Sequence, residues 1–385
     1  MTRFLKTVCA LFLCAALMLC AASCGLISLR SAEAESEPGS GAYDLSVPET
    51  FAEEETEAPP PVSETPPLDE VVMPGDEKTG VEFVFAGDLL VDSHILTNAA
   101  RQASEEQSYS FLRLFAGVRQ TFSSADQTVG FGSSILRPRG DEDPAHVIPE
   151  EFLATLEDIG YDALDTFEPQ PKDARFENHG ILTFPDEGAP CVRTEANGIT
   201  YTLFSVGSEE YPVAAGKTLE RIESEAENAA LLIVLVDWEP GSGYAEQCAA
   251  AYYMAEAGAD AVIGAGDTLG RVEWLTTDDG TKTLVAYSLG NLLATGSTPE
   301  ALCGAILRFK ADRAEDGSVN LKNVILTPTL THFGVNKDGY QIFPLSGYGD
   351  ELAGEHAVSG VTTGGLKSFV RSIVPAEFLP YDYRG

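Results

Sequence analysis

Apolar runs of strand length alternate with segments of helical period along residues 81–385, and this alternation predicts an α/β fold with helices on the faces of sheets. The folded stretch, about 300 residues from Val81, is long enough for one large core or two closely packed halves, and we read it as one domain. What precedes Val81 has a different composition and predicts no packed core.

The chain opens with Arg3 and Lys6 ahead of an apolar run from Val8 to Met18, followed by Ala21, Ala22, Ser23 and Cys24. This is the pattern of a secretion signal, too short and wrongly flanked for a permanent membrane span. The segment AASC resembles a bacterial lipobox, in which Cys24 takes lipid and becomes the mature N-terminus; an ordinary signal peptide cut nearby is the alternative. Residues 1–24 are thus read as a lipoprotein signal peptide and the chain as extracytoplasmic, lipid-anchored to the cell membrane. Residues 25–80 follow as an acidic, proline-rich tether: from Ala32 to Gly80 there are fourteen acids and one lysine, with Pro59-Pro60-Pro61 and Pro66-Pro67. So little apolar surface cannot offset chain entropy, and the expectation is a disordered, self-repelling spacer. A coil of about fifty residues spans ~40 Å, so the domain would stand at cell-wall depth.

Within the domain, 81–87 (VEFVFAG) reads as a buried strand, and Asp92-Ser93 offers an N-cap for a helix through about Ala103. QTVGF (127–131) is a second strand, 149–160 a helix ending at glycine, and YDALDTF (161–167) a third strand. ITYTLFSVG (199–207), LLIVLVDW (231–238), DAVIGAG (260–266) and LVAYSLG (284–290) continue the series, with helices near 217–229 and 245–257. The pattern alone does not choose between a Rossmann-like layer and a two-sheet sandwich.

Net charge of −36 excludes nucleic acid and anionic lipid as partners that need a basic surface. An anionic polymer would be repelled too, unless a local basic groove or bridging cations receive it. Outside the leader and Cys24, the cysteines are Cys191, Cys248 and Cys303, with no CxxC spacing and hence no zinc ribbon or redox dithiol. Cys248, in YAEQCAAAYYMAEAGA, reads as a small buried hydrophobe. Gly216-Lys217-Thr218 lacks the earlier glycine of a P-loop, at Tyr211, and reads as a helix start. Gly264-x-Gly266 lacks the third glycine of a dinucleotide fingerprint, and Ser133-Ser134 has no nucleophile elbow.

Two motifs late in the chain, GADAVIGAGDTLGRVEWL (258–275) and TLVAYSLGN (283–291), are similar to those of the CapA family, proteins associated with poly-γ-glutamate capsule synthesis. The resemblance covers roughly 81–345. It implies a metallophosphatase-like (calcineurin-like) β-sandwich flanked by helices, and it places Asp88, in VEFVFAGDLL, at the family's first metal-ligand position. It also places Phe131-Gly132-Ser133 where the family has Asn-Leu-Glu, Glu168-Pro169-Gln170 where it has Asn-Asn-His, Asp237-Trp238-Glu239 where it has His-Trp-Gly, and Gly264–Leu269 at its histidine-bearing turn. Gly87, Trp238, Gly290 and Asn291 keep the family's residues; every matched histidine position is substituted. Asn178-His179 looks like a displaced Asn-His pair, but FENHGI aligns with the end of the following helix. His332, in TPTLTHFGV, falls in a late strand of the family and reads as structural, and His94 reads as a helical histidine facing solvent.

A dinuclear transition-metal site needs imidazole and carboxylate ligands on two ions ~3.5–4 Å apart. One aspartate cannot hold it, so the sequence predicts a catalytically degenerate, surface-anchored CapA-like lipoprotein, a binding or assembly component for capsule or envelope polymer, needing no cofactor. Its expected partners are that polymer or capsule-synthesis proteins, and the membrane through the N-terminal lipid. The alternative is a metal-dependent hydrolase or transferase on an envelope polymer. There Asp88, Glu168, Asp237 and Asp267 would form a rebuilt carboxylate site, suited to Ca²⁺ or Mg²⁺ before Mn²⁺ or Zn²⁺.

Overall fold

A computed structural model describes residues 80–132, 148–169, 173–186, 188–210 and 216–383. Cys24, the 25–79 segment, Ser133, Ser134, Gln170 and Tyr211 lie outside the described residues. The described residues belong to one compact unit, 71–385. No helix among them is long and apolar enough to cross a membrane.

The strands run in chain order β1 Val81–Leu89, β2 Gln127–Phe131, β3 Ala163–Asp165, β4 Leu182–Phe184, β5 Cys191–Ala196, β6 Ile199–Val206 and β7 Leu231–Asp237. They continue with β8 Ala261–Ala265, β9 Val272–Thr276, β10 Lys282–Ala286, β11 Asn291–Leu293, β12 Cys303–Arg313, β13 Val319–His332 and β14 Gln341–Pro344. One sheet has the order β14-β13-β12-β1-β2-β3-β4, with β11 also paired to β1; the other has the order β5-β6-β7-β8-β10-β9. β1 to β4 are parallel, as are β6, β7, β8 and β10, while β12, β13 and β14 run antiparallel. The fold class is therefore the expected one, two mixed sheets of an α/β sandwich with helices outside.

β7 shows why its sequence reads as continuous apolar residues. Leu231, Ile233 and Leu235 join the core shared with Phe83, Phe85 and Phe309 of the first sheet. Leu232, Val234 and Val236 face the other way, onto Ile222, Ala251 and Met254 from the helices Lys217–Ala226 and Tyr244–Glu256. A strand covered on both faces loses the polar alternation of a half-exposed one. The inter-sheet core is aromatic: Phe83 stacks near Phe85 and Phe309, and meets Tyr201 of the second sheet edge-on with ring centroids 4.9 Å apart.

Local signals in the sequence set the helix ends. Asp92 caps Ser93–Arg101 by accepting the His94 and Ile95 amides at 2.9 and 3.0 Å. Gly160, at φ 96°, closes Glu150–Ile159 in the left-handed region that glycine tolerates. Gly216 stands at the N-cap of Lys217–Ala226, so Gly-Lys-Thr is a helix start. Cys248 is half-buried rather than fully buried, against the second sheet's helical face.

Candidate functional site

The carboxyl ends of the parallel strands converge on one cavity of about 520 Å³, where open α/β sheets offer backbone ends and loops to a ligand. Asp88 comes from the end of β1, Asp237 and Trp238 from the end of β7, and Asp267 from the turn after β8. Glu239, Ser242, Gln247, Thr268, Ser288 and Asn291 add further polar groups to its wall.

Backbone geometry fixes these groups. Asp88 lies opposite Asn291 in the β1–β11 pairing, its amide donates to the Gly290 carbonyl at 3.1 Å, and its Oδ1 accepts the Leu89 amide at 2.8 Å. The turn 264–269 is held by the SLGN segment: Ser288 Oγ donates to the Thr268 carbonyl at 2.7 Å and accepts from the Gly290 amide, while Asn291 Nδ2 donates to the Asp267 carbonyl at 3.3 Å. Gly264 permits the approach, because a Cβ there would run into the Tyr287 carbonyl and the Trp238 indole nitrogen. That nitrogen donates to the Tyr287 carbonyl, which explains a tryptophan at this point. Gly290, at φ 62°, passes against the Cys303 backbone.

Of the four acids expected to converge, Asp88, Asp237 and Asp267 line the cavity and Glu168 does not. Glu168 follows Phe167, whose φ of 58° turns the chain away after β3, and its carbonyl accepts from Thr166 Oγ1 at 2.8 Å. Gly87, Trp238, Gly290 and Asn291 all sit at or beside the turn. His94 is outside the cavity lining; its ring lies between Asp92 Oδ2 at 3.4 Å and Lys337 Nζ at 3.1 Å. His179 caps its helix and its two ring nitrogens are held by Glu157 and Glu150 at 2.6 and 2.9 Å. His332 is buried in β13, against Tyr348 Oη at 2.9 Å, and packs edge-on to His356.

Two buried groups behind the cavity were not legible as site residues. Asp165, at the end of β3, is wholly buried; its Oδ1 accepts from the Phe167 amide at 2.8 Å and Ser205 Oγ at 2.7 Å, and its Oδ2 has no partner. Burial, with a smaller push from the charge of Asp237, raises its pKa to about 8. The hydroxyl of Tyr161 is likewise buried without a partner, and burial and then the Asp88 charge raise its pKa.

The family that the sequence resembles implies a metal centre at this cavity. Among the described residues no three His, Cys, Asp or Glu side chains are grouped to hold an ion. The described lining of the cavity contains carboxylates, hydroxyls and amides but no imidazole. This donor set does not fit a dinuclear transition-metal centre.

Residues 179–295 match the family model described as bacterial capsule synthesis protein PGA_cap. The matched stretch holds Asp237-Trp238, the 264–269 turn and Gly290-Asn291, and so bears out the resemblance read from the motifs. No curated protein matches. Among solved structures, the chain is similar to a hypothetical protein from Thermus thermophilus, at 15% identity over 64% of this chain and 97% of that one, TM-score 0.40. It is also similar to a novel phosphatase from Mycoplasma pneumoniae, at 11% identity over 65% and 94%, TM-score 0.39. The NAD nucleotidase NadN of Haemophilus influenzae matches at 9% identity over 76% and 66%, TM-score 0.31.

Proposed function

We propose that this chain is a surface-anchored lipoprotein of capsule or cell-envelope polymer biosynthesis, held by lipid on Cys24, that binds or assembles polymer rather than cleaving it. The observation that carries this reading is the substitution at the strand-end cavity. Asp237 stands before Trp238 where the resembled family has histidine, and Gly266-Asp267 occupies its histidine-bearing turn, while Ser288, Gly290 and Asn291 still hold that turn in place. A frame kept without imidazole donors supports a binding role. The resembled family is associated with poly-γ-glutamate, and the proposal for this chain extends to other cell-envelope polymers.

Deletion of the gene tests it. Loss of surface polymer, restored by the full chain and by the Asp88→Asn/Asp237→Asn double variant but not by Cys24→Ala, is the expected result. Unchanged surface polymer in the deletion strain contradicts the role.

A second reading has one observation in its favour, since Asp88, Asp237 and Asp267 share one cavity. On it the chain is a hydrolase or transferase using Ca²⁺ or Mg²⁺ on oxygen donors. Metal content of the purified protein after loading with Ca²⁺ or Mg²⁺ separates the two.

A further inference from the structure

The strand-end cavity is lined by Asp88, Asp237, Glu239 and Asp267, with no lysine, arginine or histidine among its described lining residues. Cations gather elsewhere. Two adjoining hollows, of about 300 and 590 Å³, lie between β9, the edge of the second sheet, and the first half of β13, and Trp274 and Leu321 line both. Lys282 stands in one hollow, Arg308 and Lys322 in the other.

These cations are weakly engaged. Lys282 makes no ion pair among the described residues. Arg308 reaches Glu82 only at 3.8 Å, and Lys322 reaches Asp312 at 3.4 Å, an acid already held by Lys310 at 2.9 Å. Of the two acids lining the hollows, Asp260 turns Oδ2 to the Leu232 amide at 2.7 Å, and Glu377 shares the hollow of Arg308 and Lys322. Trp274 is 36% exposed, and it is the exposed one of the two tryptophans, Trp238 being buried at 6%. Asn323, at φ 54°, sits where the β12–β13 register shifts, so an irregularity of the kind that re-aims side chains lies in the groove wall.

We propose that this groove binds an acidic polysaccharide. The indole face of Trp274 takes the flat CH face of a sugar ring, Lys282, Arg308 and Lys322 take carboxylates on the flanking sugars, and the amides of Asn320 and Asn323 take hydroxyls. Complementary charge selects an anionic chain here and opposes it at the acidic cavity. An exposed indole beside side-chain amides favours a rigid, hydroxylated ring over a polyamino acid, which has neither the flat apolar face nor the hydroxyls. The inference rests on the envelope-polymer reading and names the chemistry of the polymer.

Calorimetric titration of the full chain with polygalacturonate fragments, poly-γ-glutamate of matched charge and neutral dextran tests it. Polygalacturonate should bind saturably, more weakly as salt rises, and shift the tryptophan emission; dextran should not bind. Trp274→Ala, and separately Lys282→Gln/Lys322→Gln, should each weaken polygalacturonate by about tenfold or more, while Trp274→Phe, which keeps a ring, stays within about threefold. The lysine variants keep the test decisive if Trp274→Ala does not fold. Absence of polygalacturonate binding overturns the proposal. So does poly-γ-glutamate binding of equal strength that Trp274→Ala leaves unchanged, although the envelope-polymer role then stands; unchanged surface polymer in the deletion strain removes that role independently of the groove.

Discussion

Asp165 holds a proton at neutral pH because its carboxyl is wholly buried and Oδ2 has no donor to support a charge. With a folded pKa near 8, above the unfolded value of about 3.9, its contribution is fully present below the unfolded pKa and is lost as pH rises through about 8. Asp165→Asn removes the titration, so its melting temperature should decline less than the parent's between pH 6 and 9, by thermal unfolding across that range. Equal declines would contradict the assignment. His332 has the opposite sign. Burial, then the positive charges of His356 and Arg113, hold its pKa down to about 4. Its contribution is whole above the unfolded pKa of about 6.5 and is lost as pH falls through about 4. His332→Gln should therefore lose stability less steeply than the parent between pH 6.5 and 4, in denaturant titrations at fixed pH. His179 reverses this again, since its bonds to Glu157 and Glu150 raise its pKa and support stability that fades as pH rises through the folded value. Asp165 escaped notice in the sequence because YDALDTF reads as a plain strand. The available signal was a carboxylate inside a run with apolar residues on both sides.

At the scale of elements, the turn 264–269 is the most constrained piece of the site. Ser288, Asn291 and Trp238 reach across to backbone carbonyls, and glycine is required at 264 by close packing rather than by φ. Gly264→Ala forces the indole and the Tyr287 carbonyl apart, and should cost about 1–3 kcal/mol by urea unfolding. A variant as stable as the parent would show that the contact yields. Strands buried on both faces, such as β7 and β8, were legible because they read as unbroken apolar runs between turn residues. The caps at Asp92 and Gly160 were legible from local chemistry. The long hairpin of β12 and β13 was not. Its strands pass from full burial to an exposed stretch, and the register shift near Arg308 breaks what alternation remains. The Trp274 groove was hidden for the same reason, since its walls come from segments some forty to fifty residues apart whose pairing partners differ, β10 for β9 and β12 for β13.

Across the whole molecule, a net charge of −36 sets the terms on which an anionic polymer can be handled. The sandwich gathers Asp88, Asp237 and Asp267 at the strand ends, and leaves Lys282, Arg308 and Lys322 around Trp274 at the side. Three of the four acids that the resemblance put at strand ends line the first place and Glu168 does not, since strand ends in a parallel sheet converge whatever side chains they carry. At the strand ends the described donors are oxygens without an imidazole, a set that does not fit a dinuclear transition-metal centre. Metal content of the purified protein tests this most directly, after incubation with Mn²⁺, Zn²⁺, Ca²⁺ and Mg²⁺ and removal of free ions, with Asp88→Asn as control. Folded protein with far less than one bound ion per chain and no difference in the control is the expected result; near-stoichiometric metal that Asp88→Asn abolishes would overturn the non-catalytic reading.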